Sequence, residues 1–167
     1  MTGVQTCALP ISTGGFTDCL LQHGAARVYA ADVGKGQLDA RLRADSRVAV
    51  REEVNLRHAP ADLIPEPVDL LTADLSFISL TKVLPALVRF LKPGGLVVAL
   101  VKPQFELGPG AGDKGVVRDP ALQQQAVDIV TNFCRDELGL LPLGATPAKI
   151  KGPKGNQEYL AAFLNKS

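Results

Sequence analysis

Asp74, Lys102 and Glu158 are the residues of this chain whose types and placement could do chemistry together. Asp74 directly follows the apolar run Val68-Asp69-Leu70-Leu71-Thr72-Ala73, Lys102 directly follows Gly95-Leu96-Val97-Val98-Ala99-Leu100-Val101, and Glu158 opens the final apolar run. In open α/β sheets, ligands bind outside the carboxyl ends of the parallel strands, and a last strand of opposite direction would bring its beginning to that same edge. A lysine set between two carboxylates can position or deprotonate a weak nucleophile such as a ribose 2′-hydroxyl, while the carboxylates orient it and tune its pKa. Each residue alone is an ordinary strand-end charge; together at one edge they would form a site.

A second constellation lies near the beginning of the chain. In Ile11-Ser12-Thr13-Gly14-Gly15-Phe16-Thr17-Asp18-Cys19-Leu20-Leu21 a turn of small residues runs into an apolar pattern of helical period. Paired glycines let backbone N–H groups approach a ligand closely, and a helix N-terminus favours polar or anionic groups there. Glycine pairs also mark ordinary turns. Asp32 ends the short apolar run Arg27-Val28-Tyr29-Ala30-Ala31, not far from the roughly 20-residue spacing at which an acid receives ribose hydroxyls. The other reading of Asp32 is a strand-end cap on the turn Gly34-Lys35-Gly36.

The elements that must position these residues alternate between short continuous apolar runs and segments of helical period, the pattern of parallel strands joined by helices. Strands are predicted over 27–32, 47–51, 68–73, 95–101, 140–146 and 157–164, and helices over 14–23, 35–43, 81–91 and 119–138. Lys92-Pro93-Gly94-Gly95 should stop the third helix, and Asp119-Pro120 should cap and open the fourth. The irregular, glycine-rich stretch between Pro103 and Asp119 is long for a compact domain and points to function or mobility. The last two strands read as an antiparallel hairpin around the basic loop Lys149-Ile150-Lys151-Gly152-Pro153-Lys154-Gly155. The fold expected is therefore α/β and Rossmann-like, a mostly parallel sheet ending in a C-terminal antiparallel hairpin and seven-stranded when residues 4–10 pair as an interior first strand, as in class I methyltransferases that use S-adenosylmethionine.

Composition narrows the alternatives. A length of 167 residues with 46% hydrophobic and 5% aromatic residues suits one domain with a proper core. Eighteen basic against 17 acidic residues exclude a polyelectrolyte that grips nucleic acid without specificity. Cys7, Cys19 and Cys134 are odd in number and carry no metal-ligand spacing, so they read as reduced cytosolic thiols, with no metal expected. No apolar run approaches the roughly 20 residues that cross a bilayer, so no membrane partner is expected.

Six segments, ISTGGFTDCLLQHGA, VYAADVGKGQL, LLTADLSFISL, KPGGLVVALVKPQFE, KGVVRD and GNQEYL, resemble the TlyA group of FtsJ-like methyltransferases over about residues 12–164. DLSFISL followed by VKPQFE is the specific part of the match; the glycine turn is not. The resemblance implies S-adenosylmethionine as cofactor, 2′-O-methylation of cytidine in ribosomal RNA as activity, ribosomal RNA as partner and the cytoplasm as location. It also implies roles. Asp74, Lys102 and Glu158 match three members of a K-D-K-E tetrad, with Lys102 nearest the ribose hydroxyl. Ser12, Thr13, Gly14, Gly15 and Phe16 match half of the cofactor loop, Asp32 the acid on the cofactor ribose and Asn55 a position near adenine. Asp74 also borders the cofactor, and Phe77 would pack on it, unless it is a core aromatic. RNA contact should fall on Lys102, Lys114, Arg118, Lys149, Lys151 and Lys154, although such clusters are commonly just a solvated rim.

The departures from the family pattern carry expectations too. MTGVQTCALPI resembles translated adapter sequence, so residues 1–11 are expected to be a non-native segment ahead of a methyltransferase domain over 12–167. By this resemblance the family's S4-type RNA-binding domain and first tetrad lysine are expected to be missing here. Ala8 and Pro10 stand where the loop aspartate and first glycine belong, which should weaken cofactor binding because proline restricts the backbone where close approach is needed. Two rival functions follow from the same residues. The glycine turn with Asp32 would also serve an NAD-type oxidoreductase, and the family's older haemolysin label would make the chain membrane-active, although it has no cationic amphipathic helix.

Overall fold

A computed structural model describes residues 3–9 and 14–167. Its frame is one seven-stranded sheet of β1 (Gln5–Leu9), β2 (Arg27–Ala31), β3 (Val48–Arg51), β4 (Val68–Ala73), β5 (Leu91–Val101), β6 (Leu141–Pro147) and β7 (Tyr159–Leu164), in the order β3-β2-β1-β4-β5-β7-β6. Strands β1 to β5 pair in parallel, and β7 lies antiparallel to both neighbours. The six predicted strands are all present. The seventh is β1, formed by residues that the sequence set apart from the domain at residue 12, and it occupies the interior position between β2 and β4. Asp69 steadies its first residue by accepting from the Gln5 backbone N–H at 2.9 Å.

Among the described residues, five α-helices connect the strands: α1 (Gly15–Gln22), α2 (Ala40–Arg43), α3 (Leu80–Leu87), α4 (Pro103–Glu106) and α5 (Pro120–Asp136). Two are shorter than their periodicity predicts. The segment 35–43 keeps helix only in α2, because the Asp39 carboxylate caps the Arg41 N–H at 2.8 Å while Glu52 accepts from Gly36 N at 2.8 Å and ties the preceding residues into a turn. The segment 81–91 is helical to Leu87 and tightens into a 3₁₀ turn over 88–90 after Pro85, which has no N–H to donate. Lys92-Pro93-Gly94-Gly95 does not precede the strand but lies inside β5 as an irregularity between the pairs Val68–Leu91 and Leu70–Leu96. Asp119 caps α5 through the Ala121 N–H at 2.8 Å, with Pro120 in the first turn, as predicted.

Side chains alternate across the strands, and the two faces of the sheet are unequal. Leu71, Ala73, Val97, Ala99, Val101, Ala161 and Phe163 face α3 and α5 in one buried cluster, sealed by Leu80, Val83, Leu84 and Leu87 from α3 and by Ala126, Val127, Val130 and Cys134 from α5. Among the described residues, the face toward α1 and α2 holds small clusters around Val28 and Ala30. Stability therefore depends chiefly on the first face. Leu71→Ala, which removes a side chain with no exposed surface, should cost about 2–5 kcal/mol in urea unfolding. Val33→Ala at an exposed turn should change stability by less than about 0.5 kcal/mol.

Candidate active site

Asp74, Lys102 and Glu158 do meet at one edge of the sheet. Pairing of Ala73 with Ala99 places the end of β4 beside β5, and antiparallel pairing of Val101 with Tyr159 sets Lys102 opposite Glu158 just beyond the last rung. Lys102 is 7% exposed and Glu158 5%. A buried ammonium needs a partner, since desolvation of an unpaired charge costs several kcal/mol. Asp74 supplies it: Lys102 Nζ lies 2.6 Å from Asp74 Oδ1, and it donates to Ser76 Oγ at 3.0 Å. The contact with Asp74 is short but poorly aligned as a hydrogen bond, so its character is ionic. Glu158 Oε1 accepts from Gln104 Nε2 at 3.3 Å. Burial raises the Glu158 carboxyl above its ordinary range; the Lys102 charge and the Gln104 hydrogen bond pull it down, and Asp74 raises it further.

The two loops that carry Asp74 and Lys102 are joined by Glu106. Its carboxylate accepts from Ser79 Oγ at 2.5 Å and from the Leu80 N–H at 3.0 Å, at the N-terminus of α3, where Ser79 is itself the cap. Burial holds the Glu106 carboxyl above its ordinary range against these two bonds. Between Asp74 and this clasp the chain takes a left-handed turn at Phe77, φ 64°, a costly conformation for a bulky residue that persists only where its surroundings enforce it. The turn thrusts Phe77 outward, 89% exposed, with its ring 5.1 Å from that of Phe105. It is not a core aromatic.

On the other side of the switch point between β1 and β4, the chain turns into α1 at Gly14, φ 107°. Ser12 and Thr13 lie outside the described residues. A side chain at Gly15 would meet no atom within 4 Å, so its backbone faces open space, whereas one at Gly14 would strike Leu42 and Leu38. Gly14 thus serves packing and the turn, while Gly15 leaves room for a ligand. Phe16 is half-buried and lines a cleft of about 570 Å³ shared with Leu100, Lys149, Ile150, Lys151 and Glu158. Asp32 is buried at the end of β2, and its Oδ1 accepts from Gly34 N at 2.7 Å, the turn-capping contact that was one of its two readings. Val33 beside it is 69% exposed, an apolar surface next to an acid that a nucleoside could cover. Asn55 is exposed and caps a short turn through the Arg57 N–H at 3.1 Å. An open backbone at Gly15, an acid at Asp32, an apolar platform at Val33 and an unpartnered buried Gln104 Oε1 fit a nucleoside-bearing cofactor with a polar tail.

The predicted RNA contacts separate. Lys102 is interior and can meet only a group inserted beside it. Arg118 lies 3.8 Å from Asp113, and Lys154 Nζ donates to the Lys114 carbonyl at 3.4 Å, while Lys149 and Lys151 line the cleft next to Glu158. Ser76, Gln104, Glu106 and Val33 were not singled out by sequence. Three of them stand inside the quoted motifs around Asp74 and Lys102, which was the available signal. Among the described residues no cluster could hold a metal ion, and no helix is long and apolar enough to cross a membrane.

Comparison with known proteins gives the family and the fold. The FtsJ-like methyltransferase family matches residues 4–164. The chain is 51% identical over 149 residues to the 16S/23S rRNA (cytidine-2′-O)-methyltransferase TlyA of Mycobacterium tuberculosis, covering 89% of this chain and 55% of that protein. It therefore spans about half the length of that relative. A crystal structure of a protein named as a hemolysin from Lactococcus lactis superposes with a TM-score of 0.93 at 42% identity, over 99% of this chain and 79% of the other. The N-methyltransferase NodS of Bradyrhizobium japonicum, in complex with S-adenosyl-L-homocysteine, shares the fold alone, with a TM-score of 0.68 at 17% identity over 99% of this chain and 80% of that one. Neither the oxidoreductase nor the membrane-active alternative finds support.

The Glu106 clasp has a pH signature. A carboxyl whose native pKa is raised holds its proton more tightly folded than unfolded, so its stabilising contribution is complete below 4.5 and is lost as pH rises through the raised native value. The stability of the native protein minus that of Glu106→Gln, measured by urea unfolding, should fall as pH rises from 4.5 upward. A flat difference would show that Glu106 titrates as it does in the unfolded chain, and a rising one that folding lowers its pKa; either would overturn the raised value.

Proposed function

The chain belongs to the FtsJ-like methyltransferase family, and from that membership we propose that it transfers a methyl group from S-adenosylmethionine to the 2′-hydroxyl of cytidine in ribosomal RNA. The observation that carries the proposal is the buried Lys102–Asp74 ion pair beside Glu158, at the edge of the sheet where ligands bind. A hydroxyl is a poor nucleophile at neutral pH, and a site that methylates one has to fix the oxygen and guide its proton away. Lys102 Nζ is the group to meet that oxygen. Asp74 and Ser76 hold the lysine from one side, and Glu158 bounds it from the β7 side with a carboxylate inclined to keep a proton.

The cofactor would supply a methyl group made electrophilic by its sulfonium. Asp32 would receive the hydroxyls of its ribose, Val33 and the neighbourhood of Asn55 would flank its adenine, and the open backbone at Gly15 with Phe16 would border its tail. Asp74 borders cofactor and nucleophile alike. Phe77, turned outward beside Phe105, offers a ring face to a planar ligand at the mouth of the site, cofactor or base. Alignment of the two reactants and exclusion of water then provide most of the acceleration. Lys149, Lys151, Lys154 and Lys114 provide a basic rim for RNA phosphates, and a rim of so few charges gives weak, salt-dependent affinity. The cytoplasm, where ribosomal RNA is processed, is the corresponding location.

Transfer of labelled methyl into ribosomal RNA, followed by nucleoside analysis, tests the proposal. Label should appear in 2′-O-methylcytidine. Lys102→Met should lower the rate about 100-fold or more with cofactor affinity nearly unchanged. Asp32→Ala should weaken cofactor binding about tenfold to 100-fold by calorimetry, the range for losing hydrogen bonds to a charged group. Label on a base, or cofactor affinity indifferent to Asp32, would overturn it.

A further inference from the structure

The position of the Glu158 carboxylate is set by a neighbour without a side chain. A Cβ built on Gly152 would stand 2.1 Å from Glu158 Oε1 and 2.5 Å from its Cδ, so the bare Cα of Gly152 forms the wall against which the carboxylate rests. The same Oε1 accepts from Gln104 Nε2, so wall and donor fix one oxygen from two directions. Gly152 has φ −72° and ψ −175°, extended backbone open to any residue. Its glycine is therefore not a requirement of the turn. The space occupied by Glu158 is what excludes a larger residue.

The wall itself is held in place. Gly152 N donates to the Asn156 carbonyl at 2.9 Å, and Gly155 N donates to the Gly152 carbonyl at 3.1 Å. Asn156 is 3% exposed; its Nδ2 donates to the Gly115 carbonyl at 2.9 Å and to the Pro153 carbonyl at 3.3 Å, and its Oδ1 accepts from Val117 N at 3.0 Å. One buried amide thus fastens the basic loop 149–155 to the glycine-rich loop before α5. We propose that Gly152, fastened through Asn156, is a positioning residue that sets the Glu158 carboxylate against Lys102. This rests on the reading of Glu158 as part of a methyl-transfer site.

Gly152→Ala tests it, because the clash falls on the far end of a flexible side chain and the backbone stays relaxed. The variant should fold with a melting temperature close to that of the native protein and bind S-adenosylmethionine equally well. Its Glu158 carboxyl carbon and Gln104 side-chain amide resonances should both move in NMR spectra as the hydrogen bond between them is broken. The methyl-transfer rate should fall about 100-fold, as a misplacement of about 1 Å can cost, with KM for the cofactor unchanged. Adding Glu158→Asp, one methylene shorter, should recover part of the rate in this background while lowering it in the native one. Gly155→Ala strains a backbone at φ 81° but meets no atom within 4 Å, and it should leave both resonances in place. Unmoved resonances in Gly152→Ala, or equal movement in Gly155→Ala, would overturn the positioning role. If the native chain transfers no methyl at all, the functional reading fails, and the resonances still decide whether Gly152 places Glu158.

Discussion

An ammonium group buried at the end of an apolar strand is the constraint on which the rest of this structure depends. Lys102 follows Val101, which has no exposed surface, and is itself nearly enclosed. Such a charge is tolerated only if a counter-charge and hydrogen bonds replace the water it has lost. Asp74 and Ser76 provide them, and both belong to the loop that leaves β4. The parallel register of β4 and β5 is thereby tied to the site, because a slip of one residue would turn Lys102 to the opposite face and leave Asp74 unpaired.

From that pair the dependence runs outward through two loops. Glu106 returns from the Lys102 loop to cap α3, so that α3 is fastened at one end by the site and along its length by Leu80, Val83, Leu84 and Leu87 in the main core. The left-handed turn at Phe77 sits inside this closed path, which is where strain can be stored without unfolding the loop. Reversal of β7 provides the third side. A seventh strand parallel to its neighbours would present its carboxyl end at this edge, and the residue in the place of Glu158 would lie at the far side of the sheet.

Much of this was legible in the sequence because it is local. The uniform apolar run before Lys102, the run before Asp74 and the Asp119-Pro120 helix start all depend on neighbours within a few positions, and all three are found where the residues put them. What went unseen involves partners far apart. β1 is short, and pairing with β2 and β4 on both sides makes a strand of it. The helix predicted over 35–43 lost its first half to Glu52, which reaches Gly36 from beyond β3.

The sequence by itself determined the alternation of strands and helices, the sheet edge that would hold the polar residues and the identity of Asp74, Lys102 and Glu158, because periodicity, capping and strand ends are properties of neighbouring residues. Tertiary structure alone decided how those groups are held. The Glu106 clasp on α3, the outward setting of Phe77 and the bare wall at Gly152 are contacts between elements or backbone angles. They become definite only when packing brings separate segments within hydrogen-bonding distance.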